Sequence, residues 1–391
     1  MKGEWKTVAL DEIATIERDA IQPGAISQGT AYLGLEHIES GGKILSAKPV
    51  DEGELASSKF KFTERHVLYG KLRPYLAKIA CPDFTGICST DILPILPGPH
   101  LERRFLCYFL RQPSMVDYAN SRSAGANLPR LSPSALAGFE IPVPPLAEQQ
   151  RIAEVLDKAE ALRAKRRAAL AQLDSLTQSL FLDLFGDPAS NPKGWPVRRL
   201  GELIVDGPQN GLYKPSTDYG SGTPILRIDA FYDGAVTDIF ALKRVRLSEA
   251  ERSGFRLTEN DVVINRVNSL EYLGKCALIP KLPEETVFES NMMRMRFDSK
   301  TTHPRFVVQF LQSGFAKSQI QMRAKHAVNQ ASINQQDVSG FRTSVPPIQL
   351  QHEFARRVAA VEKLKTAQRA ALAELDALFA SLQHRAFRGE L

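Results

Sequence analysis

The sequence predicts an α+β architecture in which two globular domains alternate with two long helices, arranged as an internal repeat. Three observations carry that expectation. The stretch RAALAQLDSLTQSL at 167–180 returns as RAALAELDALFASL at 369–382, with ten of fourteen positions identical at an offset of 202. Each copy lies in a long run free of Gly and Pro, more than most globular helices need. Each run follows a mixed region whose short apolar segments are broken by Gly and Pro.

Taken in order, the first domain spans 1–145 and the first long helix 146–187. The second domain spans 188–347 and the second long helix 348–391. Within the domains, Val67–Tyr69, Ile92–Leu96, Ile225–Ile228, Val262–Ile264 and the alternating Met293–Phe297 read as strands. Arg104–Arg111 and Arg305–Gln312 read as short helices. The pairs Pro144-Pro145 and Pro346-Pro347 close the domains, because proline drives its predecessor out of helical geometry. Further repeat anchors are Trp5, Leu10 and Glu12 against Trp195, Leu200 and Glu202, and Asn127 and Phe185 against Asn329 and Phe387. The ends of the two halves agree while their middles diverge. That is the pattern of one scaffold carrying two different readers.

In the long helices a spacing of three and four gives a seam of Ile152, Val155, Ala159, Leu162, Arg166, Ala169, Leu173, Leu176 and Leu180. The equivalent frame in the second copy runs Phe354, Arg357, Val361, Leu364, Gln368, Ala371, Leu375, Leu378 and Leu382. Two such helices are expected to pair as a coiled coil. Antiparallel pairing places one domain at each end, related by a pseudo-twofold axis. It also brings the polar seam residues Arg166 and Gln368 near one another. Leu156, Leu170, Leu184, Val358, Leu372 and Phe379 then form an outer apolar face for a partner.

Composition excludes several classes. Hydrophobic residues make up 43% and charged residues 24% of 391, ordinary for a globular protein. No apolar run reaches the roughly 20 residues of a membrane span. The N-terminal MKGEWKTVAL lacks a signal-peptide pattern. Four cysteines without CxxC or His-partnered spacing point to reduced thiols in a cytoplasmic protein, and no metal site is expected. The formal net charge is +6. Two local basic runs, Lys59 to Lys78 and Arg294 to Lys325, carry few acids and suit a polyanion. Catalytic signatures are missing: no Asn/Asp-Pro-Pro-aromatic segment for methyl transfer to an amine, no GxxxxGK[ST], and no zinc helix at His352-Glu353.

These residues resemble a known family. VPPLAEQQRIAEVLDKAEAL at 143–162, RAALAQLDSLTQSLFLDLFGDP at 167–188 and AFRGEL at 386–391 are similar to the specificity subunit of type I restriction–modification systems. So are the Pro-Pro-hydrophobic-x-x-Gln entry at Pro144–Gln149, looser at Pro346–Gln351, and the Trp-x4-Leu-x-Glu openings at Trp5 and Trp195. The resemblance implies two target-recognition domains, each reading half of a split, asymmetric duplex site, and an antiparallel coiled coil that fixes their spacing. It implies two modification subunits that supply S-adenosylmethionine-dependent adenine methylation, so no cofactor belongs to this chain. Restriction subunits join to add translocation and cleavage. The specificity subunit itself has no catalytic residues. The rival reading is a coiled-coil adaptor without base readout, which leaves the two large divergent domains unexplained.

Base readout needs Arg, Lys, Asn and Gln on loops, with phosphate contacts around them. In the first domain the candidates are Tyr69, Lys71 and Arg73 after a strand, with Arg122, Asn127 and Arg130 before the proline junction. In the second they are Asn265, Arg266 and Asn268, with Lys325, Asn329 and Gln330. Tyr75, Tyr272 and Phe231 are candidate stacking aromatics.

Overall fold

The computed structural model describes residues 5–51, 54–328 and 330–391. The chain divides into two compact units, Met1–Ala168 with Arg369–Leu391, and Ala169–Gln368. Each unit takes in one reader domain and one half of each long helix. The units thus cut across the segments 1–145, 146–187, 188–347 and 348–391, because each reader holds the start of the helix that follows it and the end of the other.

The long helices run Leu146–Phe185 and Ile348–Ala386. No helix among the described residues is long and apolar enough to cross a membrane. In the first unit the reader has a four-stranded sheet ordered Ala14–Ile16, Ile92–Pro97, Val67–Gly70, Ile79–Ala80. A five-stranded sheet and the helices Arg103–Leu110, Pro113–Ser121 and Pro133–Ala137 belong to the same reader. In the second unit the central strands Met292–Phe297 and Val262–Asn265 pair antiparallel within a six-stranded sheet. Their period-two alternation sorts the side chains. Val262, Ile264, Met293 and Met295 share a core with the helix Pro304–Gln312, whereas Val263 and Met292 face a second core. The strand expected over Ile225–Ile228 stops at Leu226.

The two readers close in the same way. Lys6–Ala9 pairs antiparallel with Glu140–Val143, and Val197–Arg199 with Arg342–Ser344. The strand that opens each reader therefore lies beside the strand that leads into its proline pair. At that junction a buried glutamine joins reader to helix. Gln149 accepts from the Glu102 N–H at 2.8 Å and donates to the carbonyls of His100 at 2.9 Å and Pro144 at 2.8 Å. Gln351 accepts from the His303 N–H at 2.8 Å and donates to the carbonyls of Pro346 at 2.8 Å and Thr301 at 3.4 Å. Both side chains are inaccessible to solvent. The Gln of the Pro-Pro-x-x-x-Gln motif is thus an amide clamp that satisfies three backbone groups at each junction.

Within each unit the helix halves are antiparallel. In the first, Ile152 and Leu156 share a core with Leu382 and Ala386, and further along Arg163 meets Asp376 at 2.6 Å. In the second, Phe181 and Phe185 pack on Phe354, and Asp174 meets Lys365 at 2.9 Å. These two ion pairs are equivalent under the 202 offset, with base and acid positions matched. The observed inner face corrects the expected seam. Leu156 and Val358, expected outside, are buried, and Leu184 and Phe379 pack against the cores. Leu162, Leu176, Leu364 and Leu378, expected inside, are 51%, 38%, 53% and 50% exposed. The inner face is offset by one residue at alternate positions, which seats Arg163 and Lys365 where leucine was expected. Arg163 stays there because its guanidinium lies 4.3 Å from the Phe379 ring centroid and bonds Asp376, so stem and charge are both accommodated.

Candidate nucleic-acid interface

The two loop pairs that sequence suggested for each reader are adjacent in the structure. In the first reader, the segment after the strand Val67–Gly70 lies along the segment before the proline junction. Leu72 forms an antiparallel bridge with Arg130, Ala124 a second one, and the Arg73 N–H donates to the Pro129 carbonyl at 2.7 Å. Leu131 in turn donates to the Lys71 carbonyl at 2.9 Å. In the second reader the same joint is a small three-stranded sheet. Val267–Asn268 pairs with Gln330–Ser332, which also pairs with Lys325–Ala327. The backbone rebuilds one arrangement from unrelated side chains.

Arg73, Arg122, Asn127 and Arg130 are exposed, and Lys71 is half-buried. Asp91 lies between two of these cations, 4.0 Å from the Lys71 ammonium and 3.3 Å from the Arg130 guanidinium. Arg122 lies with its guanidinium 4.3 Å from the Tyr118 ring centroid. Arg73 holds a left-handed backbone, φ 52°, a conformation that costs a non-glycine residue about 1–3 kcal/mol and collects at functional loops. In the second reader Lys325 and Gln330 are exposed, and Arg266 and Asn268 are half-buried. Arg266 donates to the Ser290 carbonyl at 3.2 Å, and Asn268 caps its own turn by accepting from the Ser269 N–H at 2.8 Å. Asn329 lies outside the described residues.

Two candidates are corrected. Tyr69 is 2% exposed and Asn265 fully buried, so neither side chain is presented at this surface. Tyr69 lies within the strand Val67–Gly70 and Asn265 ends the strand Val262–Asn265, and both strands are buried at every residue. Burial also pushes the Tyr69 phenol far above its ordinary pKa. Phe231 is core as well. The basic runs do not form continuous phosphate faces. Lys59 donates to Ser57, Lys78 to the Leu35 carbonyl, Arg294 pairs with Asp206, and Arg296 with Asp206 and Asp261. These cations are used inside the readers.

A groove of about 440 Å³ next to Arg266 was not anticipated. Tyr213, Lys214, Tyr219, Arg227, Lys243 and Asn291 line it. Tyr213 is 76% exposed. Asn210–Pro215 is readable as a turn from its Asn-Gly and Pro, but nothing local in the sequence places it beside residue 266.

The matrix of repeats, readers and helices is that of a known group of proteins. A family model described as type I restriction modification DNA specificity domain matches residues 2–172 and again 192–375. The chain belongs to this family. It is 29% identical over 304 residues to the type I restriction enzyme EcoKI specificity subunit of Escherichia coli (strain K12), covering 73% of this chain and 65% of that protein. It is 28% identical over 311 residues to the StySPI specificity subunit of Salmonella potsdam, covering 75% and 67%. The chain therefore matches about two thirds of the length of these relatives. Among solved structures, the S subunit of the type I restriction-modification system from M. genitalium superposes with a TM-score of 0.59 at 15% identity, covering 98% of this chain and 96% of that one. A chain from a structure concerned with complex assembly and conformational transition of the type I R-M system gives 0.61 at 22% identity, covering 99% and 98%. These likenesses establish that the specificity-subunit fold runs through both halves.

Proposed function

We propose that this chain is the DNA sequence-specificity subunit of a type I restriction–modification complex, each reader recognising one half of a bipartite, asymmetric duplex site. The carrying observation is the joint built twice: Leu72 against Arg130, and Val267–Asn268 against Ala331–Ser332. Each joint presents Arg, Lys, Asn or Gln on a surface held by backbone hydrogen bonds. Such groups discriminate base edges, and their neighbours contact phosphate. An adaptor without base readout has no use for two such joints with different side chains.

The catalytic work falls to partners in this reading. Two modification subunits bind S-adenosylmethionine and transfer the methyl group, restriction subunits add translocation and cleavage, and this chain supplies neither cofactor nor catalytic residue. The exposed leucines of the long helices, Leu162 and Leu176 with their equivalents Leu364 and Leu378, are the docking positions for the two modification subunits. Their repetition at the 202 offset favours two copies of one partner over one copy each of two. The helices set the number of base pairs between half-sites. The complex is expected to work in the cytoplasm.

The test is methylation mapping. The modification subunit is expressed in a methylation-free host with and without this chain. Site-specific adenine methylation at a split sequence appears only with it. Identical methylation in both strains rules the reading out. Methyltransferase turnover by the purified chain alone rules out the division of labour.

A further inference from the structure

Tyr75 and Tyr272 hold the same place in the two readers although nearly everything around them differs. YLAKIA at 75–80 and YLGKCA at 272–277 agree at four of six positions, at an offset of 197. The structure shows these to be true equivalents. The ends of both segments pair with the neighbouring central strand, Ala80 opposite Leu68 and Ala277 opposite Val263. The third residue of each is left-handed, Ala77 at φ 47° and Gly274 at φ 78°. Lys78 donates to the Leu35 carbonyl at 2.6 Å, and Lys275 to the Ile228 carbonyl at 2.6 Å.

Two of the shared features thus have structural duties in both readers: the lysine ties two segments together and the left-handed residue makes the turn. The leucine is buried at Leu273 and half-buried at Leu76. The tyrosine has none of comparable weight. The residue is 50% exposed at Tyr75 and 43% exposed at Tyr272. A large aromatic kept at the surface of two otherwise divergent domains is not kept for the core. Its position is telling. Tyr75 stands two residues beyond Arg73, which bonds the Pro129 carbonyl, and the Tyr272 N–H donates to the carbonyl of Ser269, next to Asn268 of the joint strand. The backbone of each tyrosine therefore adjoins the candidate interface. Lys275 lies 5.7 Å from the centroid of the Tyr272 ring and 3.8 Å from that of Tyr232, adding positive charge beside it.

We propose that Tyr75 and Tyr272 are a matched pair of sequence-independent DNA contacts, one per half-site. Each lays its ring against a base or sugar at the edge of the half-site, while the neighbouring loops select the sequence. A ring suits this duty because the sugar is the same at every base pair and a base at the half-site edge, once unstacked, offers a π-face whatever its identity, so the contact survives any change of target. The inference rests on the DNA-reading function proposed above.

The experiment uses the chain assembled with its modification subunit and a duplex carrying the site found by methylation mapping. Tyr75→Ala and Tyr272→Ala are expected to weaken binding about tenfold each, as loss of a stacked aromatic does. The loss is equal for the cognate duplex and for one altered within the half-site. Tyr75→Phe and Tyr272→Phe keep the ring and stay within about twofold of the parent, and no variant lowers the melting temperature of the complex. Alanine variants that bind as the parent does overturn the proposal. So does a loss that follows melting temperature, or one that the phenylalanine variants share. If the parent complex shows no site-specific binding, the DNA-reading function falls and this inference with it. Parent binding with indifferent alanine variants removes the inference alone.

Discussion

Gln149 and Gln351 each bring two backbone segments of a reader onto the first turns of a long helix, using both ends of one buried amide. Truncating either to alanine orphans an N–H and two carbonyls that water cannot reach. An unfolding free-energy loss of about 1–3 kcal/mol is expected for each, measured by urea denaturation. Equal stability of Gln149→Ala and the parent would mean that the clamp is dispensable. Asp91 has the opposite kind of duty. It holds Lys71 and Arg130 together, so it both places two cations and cancels part of their charge. Asp91→Asn is predicted to raise affinity for any duplex and to narrow the gap between cognate and non-cognate DNA, read by polarisation titrations at several salt concentrations. Unchanged non-cognate affinity would show that Asp91 does not govern these groups. The clamp glutamines were visible in the sequence as a motif without a mechanism. Asp91 was invisible, because nothing local links it to residues 20 positions before and 39 after.

The long helices were legible in length and position, and their inner faces only in part. Both copies carry Leu or Ala on two adjoining stripes, so a spacing of three and four fits either frame. Ranking by hydrophobicity then favours Leu162 over Arg163 and Leu364 over Lys365. The structure inverts that ranking, because the facing helix offers Asp376 to one and Asp174 to the other. A partner's charge is not written in a helix's own pattern. The consequence is testable. Leu162→Lys with Leu364→Lys should leave the chain folded, since exposed positions tolerate charge within about 0.5 kcal/mol. The same pair of changes should abolish assembly with modification subunits, measured by native mass. A full complex from the double variant would place the docking surface elsewhere. Strands were read well where alternation was strong, as at Met292–Phe297, and site residues poorly where they belong to strands buried at every position. Tyr69 and Asn265 carry groups suited to base contact, yet each belongs to a strand buried along its whole length.

The repeat was the most readable feature of the chain, because the scaffold positions must meet the same packing demands twice: Phe185 on Phe306, and Phe387 on Phe105. The readers' middles carried little signal, since each satisfies its core with its own residues. If the helices set the spacing, inserting one heptad into both should change the number of base pairs between half-sites and leave each half-site intact. Unchanged spacing in the methylome would show that they are not the ruler. The account as a whole stands on the separateness of the two readers. Replacing residues 5–140 with the first reader of a relative, co-expressing the chimera with the modification subunit and mapping adenine methylation across the genome puts that to the test. The account predicts a new sequence in one half-site, with the other half-site and the spacer retained. A change in both half-sites, or in neither, would contradict it.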